Sequence, residues 1–392
     1  MTAGAGLITS LEAWPVNVPL DAPYEFATGV YAGVSSTVAR VSTDTGLVGL
    51  GESPSPADAV DLWEQAGDVT GRDAASLLER FASVPFTKPA ARDTPEMTVR
   101  SPQVALEMAL WDIAAQAANQ PLCELLGNPV RREIELTEYF AFRVPGPGAE
   151  GERTAAEVAA YCARMVREHD SPVFEGKMGV RPPAEEIRML REVRAAIGPE
   201  RRLRVDANMA WTPETAGATL EQLEQLGVEY VEEPVAGLAA MAALRRSTSI
   251  PISAHSTDIP AAAELGAPDA LVLSIAGCGG VGPTLRFAAE CARAGVDFRF
   301  YSGDLGIATA AQLHVAAVLE SVTGPHQTLL RWYHDDVITG GPLRPHRGRL
   351  PVPAATPGLG VDLDLDALHR GVARFESDGE YDYYGGPPLP RF

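Results

Sequence analysis

The sequence predicts an α/β protein built around a parallel barrel, and three observations predict it. Short apolar strands end on polar residues: Val173-Phe174-Glu175-Gly176-Lys177, Leu203-Arg204-Val205-Asp206, Val228-Glu229-Tyr230-Val231-Glu232 and Ile250-Pro251-Ile252-Ser253-Ala254-His255. They recur at intervals of roughly 25 residues, the length of a strand, a helix and two short loops. Helical stretches separate them, the alternation of a barrel or a doubly wound sheet. No GxGxxG follows a strand, which weakens the dinucleotide-binding alternative.

A chain of 392 residues, 46% apolar, has material for a large core and about two domains. Its net charge of -20 argues against nucleic acid or an anionic membrane as partner, because both require a basic face. No apolar run reaches the roughly 18 residues of a membrane span, and no basic segment followed by an apolar run opens the chain. A cytoplasmic protein is expected. Cys123, Cys162, Cys278 and Cys291 are scattered, so they read as small buried hydrophobes rather than a disulfide or zinc framework.

Residues 6 to 51 alternate as strands, most clearly Ser35 to Val41 and Leu47 to Gly51, joined as an antiparallel hairpin. Between Pro19 and Val34 lies a stretch rich in Pro, Gly and aromatics, with Tyr24, Phe26 and Tyr31. It reads either as a plain connection or as a lid over a pocket. From 56 to 127 the pattern is helical. Ser101-Pro102 is an N-cap and first-turn pair, followed by Val104, Met108, Trp111 and Ala115 on one face. Glu107 and Asp112 flank that face and read as solvated.

Gly127-Asn128-Pro129 ends the helical run. The expected division is a capping domain over 1–130 with its substrate loop at 19–34, a barrel over 131–350, and a segment over 351–392 that returns to the cap. The barrel strands are expected at 134–142, 173–177, 203–206, 228–232, 250–253, 270–274, 297–301 and 327–330. Thr212-Pro213-Glu214 carries a cap, a proline and an acid for the helix after the third of them.

In a parallel barrel the strand C-termini converge on one mouth, so Lys177, Asp206, Glu232 and His255 are expected there, with Asn208 close by. Two carboxylates from neighbouring strands repel unless a cation separates them, and a divalent metal is the simplest one. Magnesium prefers oxygen; a histidine ligand favours manganese, zinc or iron, or else His255 stays off the metal. The acids also have a plainer use, capping the helices that follow. Lys177 suits a base beside such a metal, for abstracting a proton next to a carboxylate; its plainer use is a salt bridge to one of the acids.

The order lysine, Asp206-Ala207-Asn208, Glu232-Glu233-Pro234 and a fifth-strand ligand resembles the enolase superfamily. That resemblance implies a (β/α)7β TIM-like barrel under an α+β N-terminal capping domain, with magnesium as cofactor and a small carboxylic acid as substrate; a lysine or histidine base working beside magnesium is the chemistry of that superfamily. More narrowly, Val180-Arg181-Pro182-Pro183-Ala184-Glu185-Glu186, Trp211-Thr212-Pro213-Glu214-Thr215, Glu232-Glu233-Pro234 with Gly237-Leu238, and Pro357-Gly358-Leu359-Gly360-Val361 look like the glucarate dehydratase branch, among the mandelate racemase and muconate lactonizing enzymes. The likeness runs from about residue 100 onward.

Carried over, the resemblance implies that Asp206 and Glu232 bind metal, that His255 stands at an asparagine ligand's position, and that Lys177 is the base. It matches Tyr139 to a first-strand tyrosine that contacts substrate; Asn208 by its strand-end position, Tyr24 by its loop and Glu175 by its place near the substrate carboxylate are expected to line the same site. It also implies symmetric homo-oligomers. Three departures stand out. Glu175 replaces the first of two paired lysines; Asp304 aligns with the histidine of a His–Asp dyad; and Ile275 or Ser274 takes the dyad's aspartate. Asp304 would then have to act as the acid. Three readings stay open: a lyase removing water from a hydroxylated, sugar-type acid; a racemase or epimerase on the same scaffold; and a non-catalytic barrel that binds a small acid or a protein. A site closed by Ile275 and Phe300 would favour the last. Arg331 and His334 either reach the mouth or are solvated.

Overall fold

Period-two alternation along the N-terminal stretch produces a three-stranded antiparallel sheet in the computed structural model, which describes residues 4–83, 102–301 and 303–381. Its strands are β1 (Ile8–Phe26), β2 (Gly29–Thr43) and β3 (Val48–Ser53). The expected substrate loop at 19–34 is therefore corrected: β1 runs to Phe26, β2 begins at Gly29, and Tyr24 pairs with Tyr31. Alternation puts Tyr24, Phe26 and Tyr31 on a buried face, and burying those rings keeps the ribbon extended.

Helices α1 (Asp58–Val69), α2 (Ala74–Ser83), α3 (Pro102–Ala117) and α4 (Leu122–Leu126) follow. Ser101, the expected N-cap of α3, lies outside the described residues. Helix α3 lies directly on β3. A Cβ on Gly51 would stand 1.8 Å from the carbonyl oxygen of Ala105, so only glycine permits that approach. This contact also corrects the expectation that Glu107 and Asp112 are solvated, because α3 is buried nearly all round. Glu107 accepts from the backbone N–H groups of Val281 at 2.8 Å and Gly282 at 2.9 Å, and Asp112 from those of Leu50 at 3.0 Å and Leu359 at 2.9 Å. Glu107 is thus an internal joint between cap and barrel, and Asp112 one between α3, β3 and the C-terminal segment.

The rest alternates strand and helix: β4 (Glu133–Glu135), β5 (Glu138–Phe140), α5 (Ala155–His169), β6 (Val173–Lys177), α6 (Pro183–Ile197), β7 (Arg202–Asp206), α7 (Pro213–Gln225) and β8 (Val228–Glu232). Then come α8 (Leu238–Arg245), β9 (Ile252–Ala254), α9 (Ile259–Leu265), β10 (Ala270–Leu273), α10 (Ile275–Cys278), α11 (Val281–Ala294), β11 (Asp297–Phe300) and α12 (Gly306–Val318). Local signals set the helix starts: Thr154 makes a capping box with Glu157 before α5, and Thr212 caps α7 ahead of Pro213.

Strands β5 to β11 form one parallel sheet in sequence order. Two expectations need correction. The expected first strand, 134–142, splits, because β4 pairs antiparallel with β12 (Arg349–Pro351) while β5 enters the barrel. The expected eighth strand, 327–330, makes no ladder, and Leu330–Trp332 is a 3-10 turn. Isolated bonds close the ring there instead: Gln327 N–H to Phe300 O at 3.0 Å on one side, and on the other Thr137 N–H to His326 O and His326 N–H to Glu135 O, both at 2.8 Å. The last helix, α13 (Leu365–Asp378), packs against β1 in the cap, and Asn17 Nδ2 donates to Gly379 O at 2.7 Å.

Candidate active site at the barrel rim

Residues two apart on a strand face the same side, so Glu175 and Lys177 of β6, Arg204 and Asp206 of β7, and Tyr230 and Glu232 of β8 all turn into the barrel. Register levels their ends: Lys177 lies opposite Asp206, Asp206 opposite Glu232, and Glu232 opposite Ser253. Just past these ends the backbone turns left-handed, with φ of 45° at Asn208, 60° at Met209 and 41° at Glu233. Such strain in non-glycine residues collects at functional sites.

Lys177 Nζ is ion-paired with Asp206 Oδ2 and lies 5.5 Å from the centre of the Tyr139 ring. Asn208 braces the same carboxylate, its N–H on Oδ1 at 2.9 Å and its Nδ2 on Oδ2 at 3.0 Å, while its own Oδ1 is buried without a hydrogen-bond partner. Glu232 Oε1 meets His255 Nε2 at 2.8 Å; its Oε2 accepts from Ser253 Oγ at 3.3 Å and Gln327 Nε2 at 2.5 Å. Gln327 Nε2 also donates to Glu175 Oε1 at 2.5 Å. The imidazole of His255 is edge-on to Tyr301. Tyr24 packs against Phe26, Tyr31 and Trp332, and Tyr139 stands edge-on to Trp332.

Burial by itself disfavours the Lys177 ammonium, but Asp206, with Tyr24 and Glu232, outweighs it and holds the lysine above its usual value. Among the protein's own groups the salt bridge therefore wins over a free amine. Burial raises Asp206, with Lys177 opposing and Glu232 adding to the rise. Glu175 is pushed up to about 8 by burial and then by Glu232.

Lys177, Asp206, Asn208, Glu232, His255, Tyr139 and Tyr24 thus come together, with Glu175 joined from within the barrel. Asp304 sits at a different junction, before α12. Burial pushes its carboxyl to about 7, and after burial its charge is the main influence raising Glu52. Ser274 caps α10 through Gly277 N–H at 3.0 Å, and the ring of Phe300 packs on Phe298 and His326. Arg331 pairs with Glu138 at 2.7 Å, and His334 with Asp21 at 2.9 Å. All four cysteines are buried free thiols. Among the described residues no helix is long and apolar enough to cross a membrane.

Two residues escaped the sequence reading. Gln327 stands in the expected eighth strand as an inward polar side chain, a signal that alternation carried. Glu52 is in β3 of the cap, and nothing local connects it to Leu305, 253 residues away at the start of a barrel helix.

Among the described residues no three His, Cys, Asp or Glu side chains already converge as a metal cage. The donor set fits a divalent ion on other grounds. Asp206 and Glu232 crowd each other's charge, and the buried Asn208 Oδ1 lacks a partner.

Comparison with known proteins agrees with this architecture. Residues 8–127 match the mandelate racemase / muconate lactonizing enzyme N-terminal domain, and 157–367 the enolase C-terminal domain-like family. A chloromuconate cycloisomerase of Cupriavidus necator is 30% identical over 385 residues, covering 93% of this chain and 98% of its own. A probable glucarate dehydratase of Streptomyces coelicolor is 28% identical over 400 residues, covering 93% and 91%. The crystal structure of an enolase from Thermobispora bispora, complexed with magnesium and formate, superposes with a TM-score of 0.86 at 26% identity, over 99% of this chain and 100% of that one. The chain belongs to the enolase superfamily, with the capping domain and TIM-like barrel of its mandelate racemase and muconate lactonizing members.

Proposed function

We propose that this protein is a divalent-metal-dependent lyase that abstracts the proton alpha to the carboxylate of a hydroxylated acid and eliminates water. The observation that carries the reading is the level row Lys177, Asp206, Glu232 on three adjacent strands. Asp206, Glu232 and His255 would hold the ion, magnesium or, given the imidazole, manganese. Such an ion supplies positive charge to the substrate's carboxylate oxygens.

With a cation held by Asp206 and Glu232 offsetting the charges that raise Lys177, burial would favour the neutral amine that takes the α-proton. Tyr139 beneath Lys177 and Tyr24 beside it wall the pocket and exclude water, and Asn208 keeps Asp206 oriented. Asp304 would be the donor for departing hydroxide by its place in the resemblance; burial raises its carboxyl to about 7, and it sits just before α12, apart from the row on the other strands. A substrate carboxylate meets a site whose positive charge comes from the metal and Lys177, since Glu175 supplies none. The assembly is proposed to be a homo-oligomer in the cytoplasm.

A second reading is a racemase or epimerase on the same scaffold, supported by the likeness to an N-succinyl-L-Arg/Lys racemase of Bacillus cereus, 25% identical over 384 residues: the same abstraction followed by reprotonation, with no leaving group. Calorimetric titration of metal-free protein with magnesium, manganese and zinc, repeated on Asp206→Ala, tests the metal site. Screening hydroxy acids in deuterated water then separates the chemistries. Deuterium incorporation with loss of water supports the lyase, and incorporation alone supports the isomerase. Absence of both, in protein that binds metal, sinks both and leaves a barrel that only binds.

A further inference from the structure

Beneath the rim the barrel interior holds a cluster of polar side chains. A small cavity there is lined by Glu175, Arg204, Tyr230, Glu232, Ser253, Arg299 and Gln327 among others. Three of its lining atoms, Arg204 Nη2, Tyr230 Oη and Glu175 Oε2, are buried without a hydrogen-bond partner. The rest of Arg204 is committed, Nε to Glu229 Oε1 at 2.6 Å and Nη1 to Pro325 O at 3.0 Å. One donor, one acceptor and one hydroxyl facing a common space is the arrangement that binds water, which accepts from the guanidinium and donates to the carboxylate. Arg299 stacks on Tyr230 at 3.8 Å and keeps the phenol in place.

On the other side of Glu175, Gln327 Nε2 places one hydrogen on Glu175 Oε1 and the other on Glu232 Oε2, both at 2.5 Å. Glu232 is an acceptor, and Glu175, though burial raises it to about 8, keeps an acceptor oxygen toward the amide, so the nitrogen and not the oxygen faces them. We infer that the column Arg204, buried water, Glu175, Gln327 is the support of Glu232, with Gln327 as the positioning residue that occupies Oε2 and leaves Oε1 to face His255 and the metal. Glu175 has a use here that a lysine could not fill: it accepts the second Gln327 hydrogen and receives the water held by Arg204. The inference rests on the proposed metal site. Groups that orient a metal ligand from behind change affinity without touching the ion.

The test is calorimetric titration with manganese of the full-length protein and its variants. Gln327→Met, close in length but without donors, is expected to bind roughly 10- to 100-fold more weakly. Glu175→Met, which severs the bridge, is expected to weaken binding as well. Glu175→Gln, which keeps an acceptor oxygen, is expected to retain affinity within about threefold. The double variant Gln327→Met/Glu175→Met should be no weaker than Gln327→Met alone, since both break one chain.

Wild-type affinity in Gln327→Met, with binding abolished in Asp206→Ala, overturns this inference and leaves the metal site standing. No binding by wild type overturns both. Should Gln327→Met not fold, equal affinities for Glu175→Met and Glu175→Gln overturn it. A crystal structure of the wild type with no ordered water between Arg204 and Glu175 overturns the hydrated part of the column.

Discussion

Glu52, on the last strand of the cap, holds the barrel helix that follows Asp304: its Oε2 accepts the backbone N–H of Ala308 at 2.9 Å. Its Oε1 accepts that of Leu305 at 2.7 Å. A residue of one domain thus satisfies the orphan donors that begin a helix of the other. Glu52→Ala leaves those buried donors unpaired and is expected to cost about 1–3 kcal/mol, with Glu52→Gln losing less. Urea unfolding measures this as a lowered midpoint at constant slope. An unchanged midpoint would mean that water replaces the carboxylate at no cost.

Asp304 should make the protein less stable as pH rises. Its folded pKa of about 7 lies above the unfolded value of about 3.9, so the folded state holds the proton longer. The stabilisation is complete below about pH 4 and is lost as pH rises through about 7. Asp304→Asn removes that loss and is expected to gain up to about 4 kcal/mol over wild type at pH 8, with no comparable gain at pH 4. Denaturation at the two pH values checks it; parallel shifts at both would be contrary. If Asp304 is the acid, the same variant stops water elimination while it gains stability.

His326 acts with the opposite sign. Burial, aided by Arg299 and Arg204, lowers it to about 3, below the unfolded value of about 6.5. Its stabilisation is present above about pH 6.5 and is lost as pH falls toward 3. His326→Gln is expected to flatten the acid side of a plot of Tm against pH. His314, lowered to about 4 by burial, retains part of the slope. An undiminished acid slope in the variant would place the proton uptake elsewhere.

If Asp206 holds the proposed metal ion, Lys177 competes with that ion for it, because the ammonium is ion-paired with Asp206 Oδ2. Lys177→Met is expected to bind manganese more tightly than wild type while slowing α-proton exchange by about 10²- to 10⁴-fold. Calorimetry and exchange in deuterated water read the two effects separately. Weaker binding in Lys177→Met would show that the lysine supports the metal instead of competing with it.

Much of the barrel was legible because its signals are local. Strand β8 is found at Val228–Glu232 and β6 at Val173–Lys177, where apolar runs end on polar residues. A spacing of roughly 25 residues then brings Lys177, Asp206, Glu232 and His255 to one rim, whatever the loops between them do. The errors have a common cause. Residues 19–34 read as a loop because Pro and Gly are turn formers, yet pairing with β2 and burial of Tyr24 and Phe26 override that preference. Glu107 and Asp112 read as solvated because a helix wheel shows one helix and not the strand and barrel packed on its other sides.

The sequence by itself determined the fold class, the order of strands and the chemistry delivered to each strand end, since these follow from periodicity within a few residues. Only the tertiary structure decided the partners: Gln327 between Glu175 and Glu232, Glu52 on the start of α12, Lys177 on Asp206. Those pairings join residues as far as 256 apart. They are settled by closure of the barrel and docking of the cap, where burial strengthens each charge and leaves no water to stand in for a missing partner.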